Sequence, residues 1–106
     1  AGVKRGEIRW YEFKSPDKKR PVLILTRSSA ISYLNEITVA PVTSVIRDIP
    51  TEVILDNTDG LKVTSAANFD HLQTVSKRNI GKIIGKISPQ KWPEVKDAIA
   101  FALELD

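Results

Sequence analysis

The sequence predicts a mainly β domain, a small and strongly bent sheet or barrel carrying one carboxy-terminal helix. Three observations predict it. Short apolar runs recur from residue 6 to residue 87 with turn chemistry between them. Only the stretch from Ser88 onward has helical spacing and a helix-start signal. The chain has 106 residues, 42% hydrophobic and 27% charged, which suits one soluble domain with one core over residues 1–106.

Taking the elements in order, residues 6–13 alternate, with Ile8, Trp10 and Glu12 on one face and Glu7, Arg9, Tyr11 and Phe13 on the other, a half-exposed strand. Ser15-Pro16-Asp17 supplies a turn. Val22-Leu23-Ile24-Leu25 lacks alternation and reads as a strand buried on both faces, running from Pro21 to Thr26. Pro21, expected at its first position, costs no ladder bond there and holds Arg20 in extended backbone. That guanidinium is half-preorganised to offer its fork of donors to a carboxylate or phosphate.

Residues 27–35 allow one helical turn capped by serine. Residues 37–43 are apolar but interrupted by Pro41, so the chain is expected to bend just before Thr43-Ser44. Thr51 to Leu55 is a further strand, closed by the dense turn signal Asp56-Asn57-Thr58-Asp59-Gly60. Residues 62–69, 72–76 and 80–87 read as short strands, the last with glycines at bends or close approaches. Ser88-Pro89 reads as a capping serine before a first-turn proline. The helix to about Leu105 then presents Trp92, Val95, Ile99, Ala102 and Leu103 as one stripe.

Composition narrows the chemistry. No cysteine means no disulfide, thiolate nucleophile or common structural zinc site, and fits a reducing compartment. With one histidine and scattered carboxylates, no metal or other cofactor is expected. No glycine-rich phosphate loop is present. No apolar run approaches a membrane span and no leader is evident, so a cytoplasmic protein without membrane association is expected. The net charge is +3, with cations gathered at Lys14, Lys18, Lys19 and Arg20 and again at Lys77, Arg78, Lys82 and Lys86. Brought together, these would attract a polyanion; apart, they are solvated surface lysines. His71 and Asp70 point to opposite faces if the strand is extended, so their adjacency makes no dyad. Arg20, Thr43, Ser44, Asn68, Asp70 and His71 remain as polar residues at strand margins, each with an ordinary reading as a turn former or salt-bridge partner.

As an ordered set, several stretches resemble the MazF/PemK (Kid) family of toxin endoribonucleases. They are Arg5-Gly6-Glu7-Ile8, Arg20-Pro21-Val22-Leu23-Ile24, Val39-Ala40-Pro41-Val42-Thr43-Ser44, Pro50-Thr51-Glu52-Val53 and Gly60-Leu61, followed by Asp70, Gln73-Thr74-Val75 and Ile84-Gly85-Lys86-Ile87. The resemblance implies an SH3-like barrel of the CcdB/PemK type, acting as a homodimer that cuts single-stranded RNA at short sequences without a metal. It also implies a cognate MazE-like antitoxin whose acidic tail occupies the RNA groove. Arg20 and Thr43 match the family's arginine before Pro-Val and its threonine at the end of the third long strand, and Asp70 matches a carboxylate of the Kid branch. These three are the implied catalytic residues. Lys14, Lys19, Ser44, Asn68, His71, Gln73 and Lys77 are the implied RNA-binding set. Asn68 stands where the Kid branch carries arginine. A CcdB-like gyrase poison and a non-catalytic SH3-like binding module are the rival readings.

Overall fold

The computed structural model describes residues 2–13 and 19–105. Lys14 and the turn at Ser15-Pro16-Asp17 lie outside the described residues. The strands are β1 (Glu7–Glu12), β2 (Lys19–Ile24), β3 (Glu36–Thr43), β4 (Glu52–Leu55), β5 (Ser65–Asn68), β6 (Gln73–Ser76) and β7 (Ile80–Lys86), and the helices α1 (Ser28–Ile31) and α2 (Trp92–Leu103). The described strands join in one curled antiparallel sheet of order β4-β5-β3-β2-β1-β7, with β6 also on β3.

β3 is the hinge of this architecture. Its first half, from Glu36 to Val39, pairs with β6, whereas Val42 and Thr43 pair with β5. The expected bend is thus a change of partner across Ala40-Pro41, placed where proline could not have donated to a ladder. Curling around that point divides the interior in two. Ile8, Leu23, Ala40, Val42, Val53, Leu55, Ala67, Phe69 and Val95 form one core, and Tyr11, Val22, Ile24, Ile37, Val39 and Val75 the other. β2 supplies both cores from alternate residues, which is why its sequence carries no alternation.

Several expectations are corrected. Pro21 is the third residue of β2, opposite Trp10, and the pairing of β2 with β3 starts only at Val22. The proline therefore lies where β2 has one neighbour instead of two. β1 buries Ile8 and Tyr11, one for each core, so its burial does not follow a single face. Residues 62–64 are not strand, and β5 is confined to Ser65–Asn68. α1 has Arg27 at its N-cap and no serine side-chain cap. Ser88 does not cap a helix either: its hydroxyl donates to the Thr58 carbonyl at 2.9 Å, and a short 3₁₀ turn, Pro89–Lys91, precedes α2. On α2 the docked stripe is Trp92, Val95, Ala98, Ile99 and Ala102, while Leu103 is exposed.

A buried ionic knot fastens α2 to the sheet. Lys91 Nζ donates to Asp59 Oδ2 at 2.6 Å and to the Ile54 carbonyl at 3.1 Å, and Asp59 Oδ1 accepts the Ser88 N–H at 2.7 Å. Burial pushes the Asp59 carboxyl up, but hydrogen bonds from Lys91 and from the Asp56 and Ser88 backbone outweigh it and hold the group below its ordinary value. Gly60, with φ of +88°, closes this turn in the left-handed region that glycine tolerates. Its Cα lies against Gly85, where a side chain would strike the Asp59 carbonyl.

Candidate active site

The register places polar margin residues on one face of the sheet. β2 and β3 pair Val22 with Pro41. Arg20 on β2 and Thr43 on β3 lie two residues beyond that paired stretch, and both line one recess. Across β3 the ladder continues from Thr43 to Ala66 on β5, and β5 in turn sets Asn68 opposite Glu52 on β4. Thr43, Asn68 and Glu52 therefore share a face although they come from three strands.

Two adjoining recesses open along that face, with Thr43 and Val45 in the walls of both. The first, about 400 Å³, is lined by Lys19, Arg20, Pro21, Val42, Thr43, Ser44, Val45 and Ser65. It brings two cations to the Thr43 hydroxyl, an arrangement fit for an anionic oxygen. Thr43 Oγ1 accepts the Val45 N–H at 3.1 Å, which leaves its hydroxyl proton to donate. The second, about 210 Å³, is lined by Pro41, Thr43, Val45, Arg47, Glu52, Asn68 and His71.

Asp70 and His71 occupy a 3₁₀ turn, Phe69–His71, and not the extended strand expected for them. Asn68 caps that turn, its Oδ1 accepting the Asp70 N–H at 2.8 Å. Asp70 Oδ2 accepts the Thr51 hydroxyl at 2.7 Å, so the carboxylate is held beside the second recess without lining it.

Of the residues singled out from sequence, Lys19, Arg20, Thr43, Ser44, Asn68 and His71 line the two recesses. Gln73 is exposed on β6 and lines neither. Lys77 is not brought to this face: its Nζ donates to the α1 carbonyls of Ile31 and Ser32 at 2.7 and 3.3 Å. It serves there as a C-terminal brace for a helix that has no other cation in its last turn. Arg47, Glu52 and Thr51 escaped the sequence reading. A Thr-Glu-Val stretch reads as a turn entering a half-exposed strand, and only the β4–β5 register brings Glu52 beside Asn68. The two basic clusters do meet at one point, where Lys19 and Lys82 flank the half-exposed Trp10 in a separate recess.

The sequence profile of the PemK-like, MazF-like toxins of type II toxin–antitoxin systems matches residues 4–103. The chain is 40% identical over 90 residues to endoribonuclease MazF3 of Mycobacterium tuberculosis, covering 85% of this chain and 87% of that protein. Among solved structures it is similar to the Mycobacterium tuberculosis toxin MazF-mt6, with a TM-score of 0.87, 37% identity, and 94% of this chain and 98% of that one covered. It is also similar to an endoribonuclease in complex with its cognate antitoxin from a mycobacterial species, with a TM-score of 0.87, 25% identity, and 98% and 97% of the two chains covered. Match length, identity and fold agree with one another. The chain therefore belongs to the PemK-like, MazF-like toxins of type II toxin–antitoxin systems, and among them to the MazF endoribonucleases.

Proposed function

We propose that this toxin cleaves single-stranded RNA at short sequences by intramolecular attack of a 2′-hydroxyl on the adjacent phosphorus, giving 2′,3′-cyclic phosphate and 5′-hydroxyl ends. The observation that supports the reading is that Arg20 and Thr43 line one recess together with Lys19 and Ser44. RNA brings its own nucleophile, so the protein must align it, neutralise charge on the phosphoryl oxygens, and move two protons. Arg20, a planar fork of donors, suits electrostatic stabilisation of those oxygens better than proton donation. Thr43, with its proton free, and Ser44 donate to a non-bridging oxygen. Asp70, oriented by Thr51, or the exposed His71 takes the 2′-proton, a role typically worth about 10²- to 10⁴-fold, and water supplies the proton that the departing 5′-oxygen takes up as its bond to phosphorus breaks.

The same groove would receive a cognate antitoxin, whose acidic segment meets the cations that otherwise meet RNA phosphates. As in the complex noted above, toxin and antitoxin would pair directly, and a homodimer is the proposed working form. The test is incubation of a long single-stranded RNA and its deoxy analogue with antitoxin-free toxin in excess EDTA, with product ends identified. Recurring cuts in RNA alone with cyclic phosphate ends are expected. Intact RNA across several sequences would turn the reading toward a gyrase-directed or binding role. Arg20→Ala should lower kcat/KM by roughly 10²-fold or more, corresponding to about 3 kcal/mol of lost transition-state stabilisation. Activity within tenfold of the parent would remove Arg20 from the chemistry.

A further inference from the structure

A third recess, about 460 Å³, shares Lys19 with the one that holds Arg20 and Thr43. Its wall carries Trp10, Glu12, Lys19, Asn79, Gly81 and Lys82. Trp10 lies on β1 two residues after the fully buried Ile8, yet it is 40% exposed. The pairing of β1 with β7 shifts register on either side of Arg9, and β1 thereby turns Trp10 outward while Ile8 and Tyr11 stay in the cores.

The surroundings keep that indole available. Arg9 Nε donates to the Gly81 carbonyl at 2.8 Å, which fixes β7 against β1 next to Trp10. Gly81 meets Trp10 without a side chain, and a Cβ there would sit 3.5 Å from the Trp10 Cβ. Glycine at this point leaves room for an approaching group.

Charge and continuity identify the occupant. Lys19 and Lys82 bring cations to the recess from β2 and β7. Glu12, directly across the ladder from Lys19, is the one carboxylate in its wall among the described residues. Pro21, the ladder partner of Trp10, lines the Arg20 recess, so the two hollows meet along β2 through both Lys19 and Pro21. An aromatic ring between cations, continuous with a phosphate site, suits single-stranded nucleic acid, whose backbone meets the cations while a base stacks on the ring. An acidic peptide would use the lysines and leave the indole unused.

We propose that Trp10 is a stacking platform for one base of the RNA beside the scissile phosphate, with Lys19 and Lys82 holding the backbone on either side of that base. The inference rests on the RNA-cutting reading above and extends its groove by one subsite. Because every base presents a π face, the platform holds the strand in place without choosing its sequence.

The test measures binding without turnover, using short oligomers of deoxythymidine, which lack the 2′-hydroxyl, beside abasic oligomers of the same length that keep the phosphates. Antitoxin-free toxin should bind the base-bearing strand at least about tenfold more tightly, with a quenching of tryptophan fluorescence that the abasic strand does not produce. Trp10→Phe keeps a ring and should bind within about threefold of the parent while losing the quenching, which assigns the signal to Trp10 and not to Trp92 under Arg5. Trp10→Ala, shown to be folded by circular dichroism, should weaken the base-bearing strand by about fivefold or more and leave the abasic strand within about twofold. Equal binding of both strands by the parent, an arm that needs no variant, would overturn the proposal, as would quenching that survives in Trp10→Phe. Equal losses for both strands in Trp10→Ala would make Trp10 a support of the groove wall and overturn it too. RNA cutting without base-dependent binding would remove the platform alone. Base-dependent binding that needs Trp10, without cutting, would overturn the cleavage mechanism and leave the platform standing.

Discussion

Replacing Lys91 with methionine should lower the thermal stability of this domain without touching the residues proposed for RNA chemistry. Methionine keeps most of the aliphatic stem and removes only the ammonium. Asp59, whose side chain is 0% exposed, then loses its 2.6 Å partner. It keeps the Asp56 N–H at 2.9 Å and the Ser88 N–H at 2.7 Å. Removing one member of a buried pair costs about 3–5 kcal/mol, and the two retained bonds place this case near about 3 kcal/mol. For a domain of about this size that corresponds to a Tm lowered by about 12 °C. The assay is thermal unfolding followed by far-UV circular dichroism at fixed protein concentration, at neutral pH and again near 3.8, the ordinary carboxylate value. In the parent the folded-state pKa of Asp59 is depressed, so its contribution is present above that value and lost as pH falls through the lowered one. In the variant the carboxyl has no cation, its pKa rises, and protonation relieves the burden sooner. The gap between the two proteins should accordingly narrow on acidification. A drop of less than about 4 °C at neutral pH, or a gap that widens toward acid, would refute the assignment of Asp59 as a charge dependent on Lys91.

Gly85→Ala drives a Cβ into the Asp59 carbonyl oxygen, a backbone atom that cannot step aside. A loss of about 3 kcal/mol or more in urea unfolding is expected, and near-parental stability would show that β7 and the Asp59 turn do not approach as described. Lys77→Met should cost about 1–3 kcal/mol by orphaning the Ile31 and Ser32 carbonyls while leaving RNA affinity below the melting range almost unchanged. A tenfold loss of RNA affinity with unchanged stability would return Lys77 to the groove. Thr51→Val removes the hydroxyl that holds Asp70 and should shift the pH profile of kcat/KM if Asp70 is the base, but only lower its amplitude if His71 is. An unaltered profile and rate would detach both Thr51 and Asp70 from the chemistry.

The strands were legible wherever one kind of face dominates. β2 announces itself because both of its faces are buried, and α2 because its apolar residues keep helical spacing. Side-chain partners were less legible. Ser88 has the sequence of a helix cap, yet Thr58 competes for its hydroxyl and a 3₁₀ turn intervenes. Lys77 belongs by sequence to a basic cluster, yet Asn35 accepts its backbone N–H and its ammonium reaches α1. Local pattern cannot rank a local bond against a distant one, because the distant partner exists only once the sheet has closed.

That limit bears hardest on the site. Arg20 and Thr43 are 23 positions apart in sequence, and only the docking of β2 on β3 brings them to one recess. Their placement depends on the change of partner in β3: up to Val39 the strand is covered by β6, and beyond Pro41 by β5. At such a junction two sheet segments diverge, and backbone and side chains between them stay accessible without a broken core. Thr43 stands on the far side of the junction, while β5 delivers Asn68 and β4 delivers Glu52 to its margin. The walls of the two adjoining recesses are therefore positioned by the same bend. Loosening β3 at Ala40-Pro41 should lower the cleavage rate even with Arg20 and Thr43 unchanged, and an unaltered rate would show that the bend does not position the site.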